Sequence, residues 1–214
     1  MSLPQGIAFR TTLAFVTDVS PDFCESANME APTYPQTTPE GNNVGWETAD
    51  GDINILNSRD RNTSVPRLAG IHYGIHAAGV QEYRIDLPSA GDKLIRLAAG
   101  DYSYGGSPTN VELFDTTTSL GVLASATTAG AQRYIDATNV ERTSTADWVA
   151  NNASATKTFA STILRFKIGT GAVSGGLSFF FVDDFVAPTP DGKVIDYSKF
   201  PIEKLAAGPR SLLA

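Results

Sequence analysis

The chain has 214 residues, 42% of them hydrophobic, so it is long enough to bury the core of one substantial domain. Its 16 Lys and Arg against 23 Asp and Glu give a formal net charge of −7 with no basic block, which disfavours nucleic acid as a partner. Cys24 is the only cysteine, which excludes an intrachain disulfide, and no apolar run reaches the roughly 20 residues that cross a bilayer.

The beginning of the chain predicts a strand and then a loop. Apolar and polar residues alternate over residues 7–15, which is the pattern of a strand with one buried face. Residues 20–43 are rich in proline, which removes backbone donors from a ladder, so this segment is predicted to be a long loop. No basic stretch followed by a long apolar one opens the sequence, which predicts a soluble chain made in the cytoplasm.

The clearest strand pattern lies in residues 80–115, which contain three alternating runs separated by turn residues. The apolar residues of the first run share one face: Tyr83, Ile85 and Leu87. The run over residues 177–186 is apolar on both faces, with Leu177 and Phe179 on the same side, and predicts a strand covered on both sides. Further strands are predicted at residues 44–49, 52–56, 68–76, 120–124, 133–136 and 158–169.

These elements predict an all-β fold, an antiparallel β-sandwich of jelly-roll type built from about ten strands. A short helix is predicted at Thr145–Asn151, around Trp148. The sandwich domain is predicted to cover residues 1–186, with the Pro-rich loop included. Residues 187–214 are predicted to form a C-terminal extension or arm, because they are too apolar for a solvated tail. The arm either docks on its own domain or packs on a neighbouring subunit.

One loop has the composition of a ligand surface. Tyr102 and Tyr104 lie two residues apart beside Asp101 in a Gly-rich stretch, and aromatic faces near polar groups are what sugar rings require. Other aromatic residues that would extend this surface are Trp46, Tyr73 and Trp148. The alternative is that these aromatic residues close the open end of the sandwich or contact a subunit.

A dense patch of opposite charges predicts either a solvated network or a subunit interface. Its arginines are Arg59, Arg61 and Arg67, whose planar forks suit carboxylates of another chain. The apolar residues of the arm that would join the same interface are Tyr197, Phe200 and Leu205.

Metal binding and catalysis have little support in the sequence. Asp50, Asp52 and Asn54 resemble the start of a calcium loop, with a plain Asp-Gly turn as the alternative, and no other cofactor is predicted. The only histidines, His72 and His76, would lie roughly 13 Å apart on a strand, too far for one metal ion. Since no nucleophile elbow or other catalytic motif is present, the chain is predicted not to be an enzyme.

Two families resemble parts of this sequence. Residues 83–88, 93–97 and 111–115 resemble the core strands of malectin-like and other carbohydrate-binding β-sandwich modules. The wider pattern, with the charged patch at residues 59–62 and the block at 83–101, resembles jelly-roll structural proteins of tailed-bacteriophage virions. The second resemblance implies a decoration, cement or fibre-base component.

The leading hypothesis is therefore a non-enzymatic virion structural protein, made in the host cytoplasm, that forms homo-oligomers and contacts other virion proteins. The alternative is a secreted carbohydrate-binding module that recognises surface polysaccharide through its loop aromatics. Neither hypothesis involves a membrane or nucleic acid.

Overall fold

The computed structural model describes residues 5–10, 24–28, 34–38, 41–47, 56–74, 81–106, 109–169 and 175–185. In these ranges fifteen strands form two sheets, accompanied by one short α-helix and one turn of 3-10 helix at Pro66–Leu68. The prediction of an all-β sandwich is thereby confirmed.

The strands, in chain order, are β1 Gln5–Arg10, β2 Cys24–Asn28, β3 Gln36–Thr37, β4 Asn43–Glu47, β5 Leu56–Asp60, β6 Gly70–Gly74, β7 Gln81–Asp86, β8 Gly91–Asp101, β9 Val111–Asp115, β10 Thr118–Ala124, β11 Arg133–Ile135, β12 Glu141–Arg142, β13 Ala155–Phe159, β14 Ile163–Ile168 and β15 Gly176–Asp184. The helix α1 spans Thr145–Asn151, as predicted.

The first sheet has the order β12-β11-β8-β15-β1-β2. Strand β13 pairs with the first half of β8, and β6 pairs with the start of β15 and carries β5 on its other side. The second sheet has the order β10-β9-β14-β7-β4-β3. The pairs are antiparallel except for β1 and β2, which run parallel. This topology brings β5, β6 and the C-terminal end of β8 to one end of the first sheet.

Aromatic side chains fill the space between the two sheets. Tyr83 stacks on Phe166 with ring centroids 5.1 Å apart, and Phe166 stacks on Phe180 at 4.4 Å. Phe9 meets the Tyr83 ring edge to face at 5.4 Å. All four rings are almost completely buried, so the predicted apolar face of β7 does point into the core.

A second, smaller core lies on the outer side of the first sheet. Helix α1 begins at Ser144, whose side chain accepts a hydrogen bond from the Asp147 amide. The Trp148 indole donates to the Leu97 carbonyl at 3.0 Å and meets Phe179 edge to face. Strand β15 is therefore covered on both sides, as its apolar faces predicted.

Two details of β15 and β14 differ from the predictions. A shift in register between Leu177 and Phe179 turns Leu177 into the inter-sheet core, while Phe179 joins the outer one.

The predicted single strand at residues 158–169 is two strands, β13 and β14. Between them the Asp115 carboxylate accepts hydrogen bonds from the Ala160 amide, at 2.6 Å, and from the Ser161 hydroxyl.

The Pro-rich segment, residues 20–43, is not wholly loop. Its described residues include strand β2, beside β1, and strand β3, beside β4. The whole C-terminal arm predicted at residues 187–214 lies outside the described residues, so this prediction stays untested. Among the residues with described structure, no helix is long and apolar enough to cross a membrane.

Asp136 joins several segments around α1 and the outer core through hydrogen bonds to its carboxylate. Its carboxylate is fully buried and accepts hydrogen bonds from Arg142, from the Thr138 hydroxyl and from the Ala153 amide at 3.0 Å. Burial by itself would raise the pKa of Asp136, but these hydrogen bonds outweigh it and hold the pKa below its usual range.

We therefore expect Asp136→Asn to lower the free energy of unfolding at pH 7 by roughly 1–3 kcal/mol in urea melts. Because the folded-state pKa is lowered, the contribution of the carboxylate is present above its unfolded pKa of about 3.9 and is lost as the pH falls through the folded value. The difference between the two proteins should thus shrink below about pH 4. Asp147→Asn, at the start of α1, serves as a surface control with a smaller effect. Equal stability of Asp136→Asn and the unmodified protein at pH 7 would contradict this role.

Candidate functional site

The candidate site is a row of side chains at the end of the first sheet, on its outer face. Arg59 on β5 lies opposite Ile71 on β6, and Tyr73 follows two residues later on the same face of β6. Arg61 continues the line of β5, with its amide bonded to the Ala69 carbonyl at 2.7 Å. The loop after β8 brings its own residues against this line. We call Arg59, Arg61, Tyr73, Asp101 and Tyr104 the tyrosine–arginine strip.

The centre of the strip is a buried ion pair between Arg61 and Asp101. Arg61 Nε donates to Asp101 Oδ1 at 2.7 Å and Arg61 Nη2 to Oδ2 at 2.6 Å, a bidentate contact. The two side chains are only 8% and 6% exposed. Asp101 Oδ1 also accepts from the Ser103 amide at 2.7 Å, which fixes the start of the loop.

Hydrogen bonding to Asp101 raises the pKa of the Arg61 guanidinium, and the nearby phenols of Tyr104 and Tyr73 add to the rise. Arg61 therefore lies within electrostatic reach of both tyrosines. This contact joins the two patches that the sequence suggested separately, the arginine patch and the tyrosine loop.

Tyr104 is the most exposed large hydrophobic side chain of the described residues, at 64%. The Arg61 guanidinium carbon lies 5.3 Å from the centroid of its ring. The loop below the ring is held close to its neighbour, because the Gly106 amide donates to the Thr128 carbonyl at 3.0 Å. A Cβ on Gly105 would lie 2.8 Å from the Gly130 Cα, so only glycine permits this approach. The Tyr104 ring is thus exposed to solvent, while the backbone that carries it is held in place.

Arg59 repeats the arrangement at the other end of the strip. Its guanidinium carbon lies 5.9 Å from the centroid of the Tyr73 ring, and its Nη1 donates to the Ser58 carbonyl at 2.9 Å. Arg59 is exposed, and none of the carboxylates in the described part of the chain forms an ion pair with it.

Several residues predicted for the ligand surface lie elsewhere. Trp46 is 1% exposed and belongs to the inter-sheet core, so it is a core residue and offers no face to a ligand. Trp148 is fully buried in the outer core. Tyr102 is only partly exposed and lies near the buried Tyr134, in contrast to its neighbour Tyr104.

Of the residues predicted for a subunit interface, Arg67 is buried, with its guanidinium carbon 5.5 Å from the Trp148 ring centroid. It packs inside the domain and is not part of an exposed interface. The remaining residues predicted for an interface or for calcium lie outside the described residues: Tyr197, Phe200, Leu205, Asp50, Asp52 and Asn54. In the part of the chain that the structure describes, no group of three or more His, Cys, Asp and Glu residues is placed to hold a metal ion.

The outer face of the second sheet carries a different arrangement, in which the charges neutralise one another. Arg84 and Arg165 lie directly opposite on β7 and β14, and Glu47 accepts from both, at 3.2 and 2.5 Å. Burial alone would raise the pKa of Glu47, but the hydrogen bonds from Arg165 and Arg84 keep it below its usual range. This cross-strand network relieves the repulsion between the two arginines.

A pocket of about 340 Å³ lies at the edge of this network, lined by Asn43, Asp86, Leu87, Pro88 and Thr162. Its acidic group is already bound, since Asp86 accepts from the Tyr34 hydroxyl at 2.5 Å and from Arg84 at 2.8 Å. The Tyr34 ring is covered by Arg84 at 4.2 Å. None of the described residues that line this pocket therefore offers an open aromatic face of the kind that Tyr104 presents in the tyrosine–arginine strip.

No family model and no curated protein sequence matches the chain. Among solved structures it is similar to β-glucuronidase 2 of Bacteroides uniformis, with 12% identity over 86% of this chain and a TM-score of 0.48. The chain spans only 18% of the length of that enzyme.

It is also similar to the carbohydrate-binding module of lichenase 5A from Cellvibrio mixtus, solved with cellotriose, at 9% identity over 65% of this chain and 91% of the module, with a TM-score of 0.40. A third similarity is to the C-terminal CBM6 of the laminarinase LamC from Zobellia galactanivorans, at 14% identity over 66% of this chain and the whole module, with a TM-score of 0.35. These similarities are too distant to assign a function, which has to be argued from the side chains of the chain itself. The predicted resemblance to virion proteins has no support in these comparisons.

The ion pair at the centre of the strip gives a stability prediction. Asp101→Ala leaves the Arg61 guanidinium largely buried without its partner and should cost roughly 3–5 kcal/mol of unfolding free energy. The double variant Arg61→Met with Asp101→Ala removes both charges and should recover most of that loss. Urea melts of the two variants and of Arg61→Met alone measure the coupling. A double variant that is less stable than Asp101→Ala would contradict a buried, coupled pair.

Proposed function

We propose that this chain is a carbohydrate-binding β-sandwich domain that acts without catalysis and holds a sugar ring against Tyr104. The observation that carries the proposal is an exposed tyrosine ring on a fixed base. Tyr104 is 64% exposed, while the loop beneath it is pinned by the Arg61–Asp101 pair and by the close approach of Gly105 to Gly130.

This geometry suits a sugar for two reasons. A sugar ring presents C–H groups on its faces, which pack on an aromatic face, and hydroxyl groups at its edge, which need hydrogen-bond partners. Tyr104 supplies the aromatic surface, and the exposed guanidinium of Arg59, further along the strip, supplies charged donors. Because the backbone that carries the ring is held in place before binding, little conformational entropy of the loop is lost when a ligand binds.

The virion hypothesis has less support from the side chains. Arg61 and Arg67, two of the arginines expected at a subunit interface, are used inside the domain. The large hydrophobic side chains exposed in the described residues, apart from Tyr104, lie on separate elements: Val122, Val140, Val149 and Phe185. Their separation argues against a contiguous apolar patch of the kind that a permanent subunit interface requires. Oligomerisation through the C-terminal arm stays a prediction.

A polysaccharide partner would place the protein outside the cell or at a cell surface, which agrees with the conditional localisation of the carbohydrate-binding hypothesis. The partner class is a polymer of sugars with accessible ring faces. No membrane partner is part of the proposal.

The direct test is Tyr104→Ala on a panel of bacterial, plant and algal polysaccharides in affinity electrophoresis. Loss of one stacking contact of about 1 kcal/mol should weaken binding about fivefold or more, with an unchanged melting temperature because the ring is exposed. Tyr102→Ala should have a smaller effect, since Tyr102 is only partly exposed.

Phe185→Ala is the matched control. Phe185 is also an exposed aromatic residue, at 37%, but its amide bonds to the Asp92 carbonyl at the opposite end of β8. Nine residues of extended chain separate Asp92 from Asp101, a distance of roughly 30 Å. If Phe185→Ala weakens binding as much as Tyr104→Ala, or if the unmodified protein binds no member of the panel, the proposal is wrong.

The absence of catalysis is tested separately. Polysaccharides that bind should release no reducing ends above the buffer rate during incubation with the purified protein, with and without calcium. Release that disappears when a single Asp or Glu is replaced would show an enzyme instead of a binding domain.

A further inference from the structure

The tyrosine–arginine strip contains one positively charged side chain, Arg59, that forms no ion pair with a carboxylate in the described part of the chain. Arg61 gives two hydrogen bonds to Asp101, so its charge is largely compensated. Arg59 is exposed and has no ion pair with any carboxylate of the described residues. Its only hydrogen bond among those residues is to the Ser58 carbonyl, through Nη1.

The neighbouring carboxylate does not compensate Arg59. Asp60 follows it in β5 and therefore points to the other face, where Arg10 Nε donates to Asp60 Oδ1 at 3.0 Å. Glu141, near the loop beneath Tyr104, is bound by Arg133 at 3.2 Å and by the Ala129 amide at 2.6 Å. Among the described residues, the carboxylates close to the strip are thus occupied, and none of them pairs with Arg59; the chain as a whole has a net charge of −7.

Arg59 is also preorganised. Its guanidinium carbon lies 5.9 Å from the centroid of the Tyr73 ring, and this contact restricts the long side chain. Arg59 and Arg61 are two residues apart on an extended segment, so their Cα atoms are separated by roughly 7 Å. Because Arg61 lies beside the Tyr104 ring, a sugar stacked on Tyr104 and a neighbouring sugar of the same chain can contact Tyr104 and Arg59 at once.

We propose that the strip selects acidic polysaccharides, in which the carboxylate of a uronic acid is bound by the fork of Arg59 while a neighbouring sugar ring packs on Tyr104. The inference rests on the proposed function and adds the class of ligand. A guanidinium and a carboxylate match in geometry and form a pair of charge-assisted hydrogen bonds, whereas a neutral sugar gives Arg59 only hydroxyl acceptors.

The test compares polyuronates with their own carboxyl-reduced products. Polygalacturonate, polyglucuronate and alginate are measured against the unmodified protein by affinity electrophoresis, each beside the neutral polymer obtained by reducing its carboxyl groups. We expect at least one polyuronate to bind roughly tenfold more tightly than its reduced form. Arg59→Gln should remove most of that preference, because it weakens binding of the polyuronate much more than binding of the neutral polymer.

Two further variants separate recognition by the fork from simple charge. Arg59→Lys retains the charge without the fork and should restore only part of the preference. Lys167→Gln removes one positive charge from the outer face of the second sheet, where Lys167 pairs with Glu82 at 3.0 Å, and should leave the preference intact. A sulfated polymer of similar charge density should bind more weakly than the preferred polyuronate.

The outcomes distinguish the two proposals. Equal binding of acidic and reduced polymers, a preference unchanged in Arg59→Gln, or equal binding of the sulfated polymer would overturn the acidic-ligand inference while leaving carbohydrate binding in place. Binding to no polymer of either kind, together with no binding across the wider polysaccharide panel, would overturn both.

Discussion

The arrangement of this domain depends on one buried histidine that ties its two sheets together. Trp46, on the second sheet, donates through Nε1 to His72 Nδ1 at 3.1 Å, and His72 Nε2 donates to the Arg10 carbonyl on the first sheet at 2.8 Å. The pattern requires the neutral ring with its proton on Nε2. Since His72 is fully buried, breaking either bond would leave a polar group unsatisfied in the aromatic core, and this fixes the imidazole and the strand that carries it.

The position of the candidate site follows from that anchor. With His72 fixed inward, the two-residue period of a strand turns Tyr73 outward, onto the face shared with Arg59. Strand β6 also lies unusually close to β1, because a Cβ on Gly70 would come within 2.1 Å of the Phe9 carbonyl oxygen. Only glycine at this position permits the close approach. A polar group and a glycine in the interior thus determine the position of Tyr73, which is partly exposed.

The sequence could predict what depends on local periodicity and could not predict what depends on distant contacts. The buried face of β7 and the bounds of α1 follow from patterns a few residues long. The Arg61–Asp101 pair joins residues 40 apart and exists only because β5 and the end of β8 meet. The burial of Trp46 is equally non-local, since an indole suits both a core and a ligand surface until its hydrogen-bond partner is known. The register shift before Phe179 has no comparably clear local signal.

The domain places an arginine over an aromatic ring in several environments, and comparing them shows why one is a candidate site. Arg67 lies against Trp148 in the outer core, where both are buried. Arg84 covers Tyr34, but Asp86 binds both the guanidinium and the phenol, so that pair is already neutral. At Tyr104 the acidic partner, Asp101, binds the arginine and the Ser103 amide, and the ring is 64% exposed. The same contact therefore stabilises the interior in one place, is part of a surface network in another, and lies beside an exposed ring in the third.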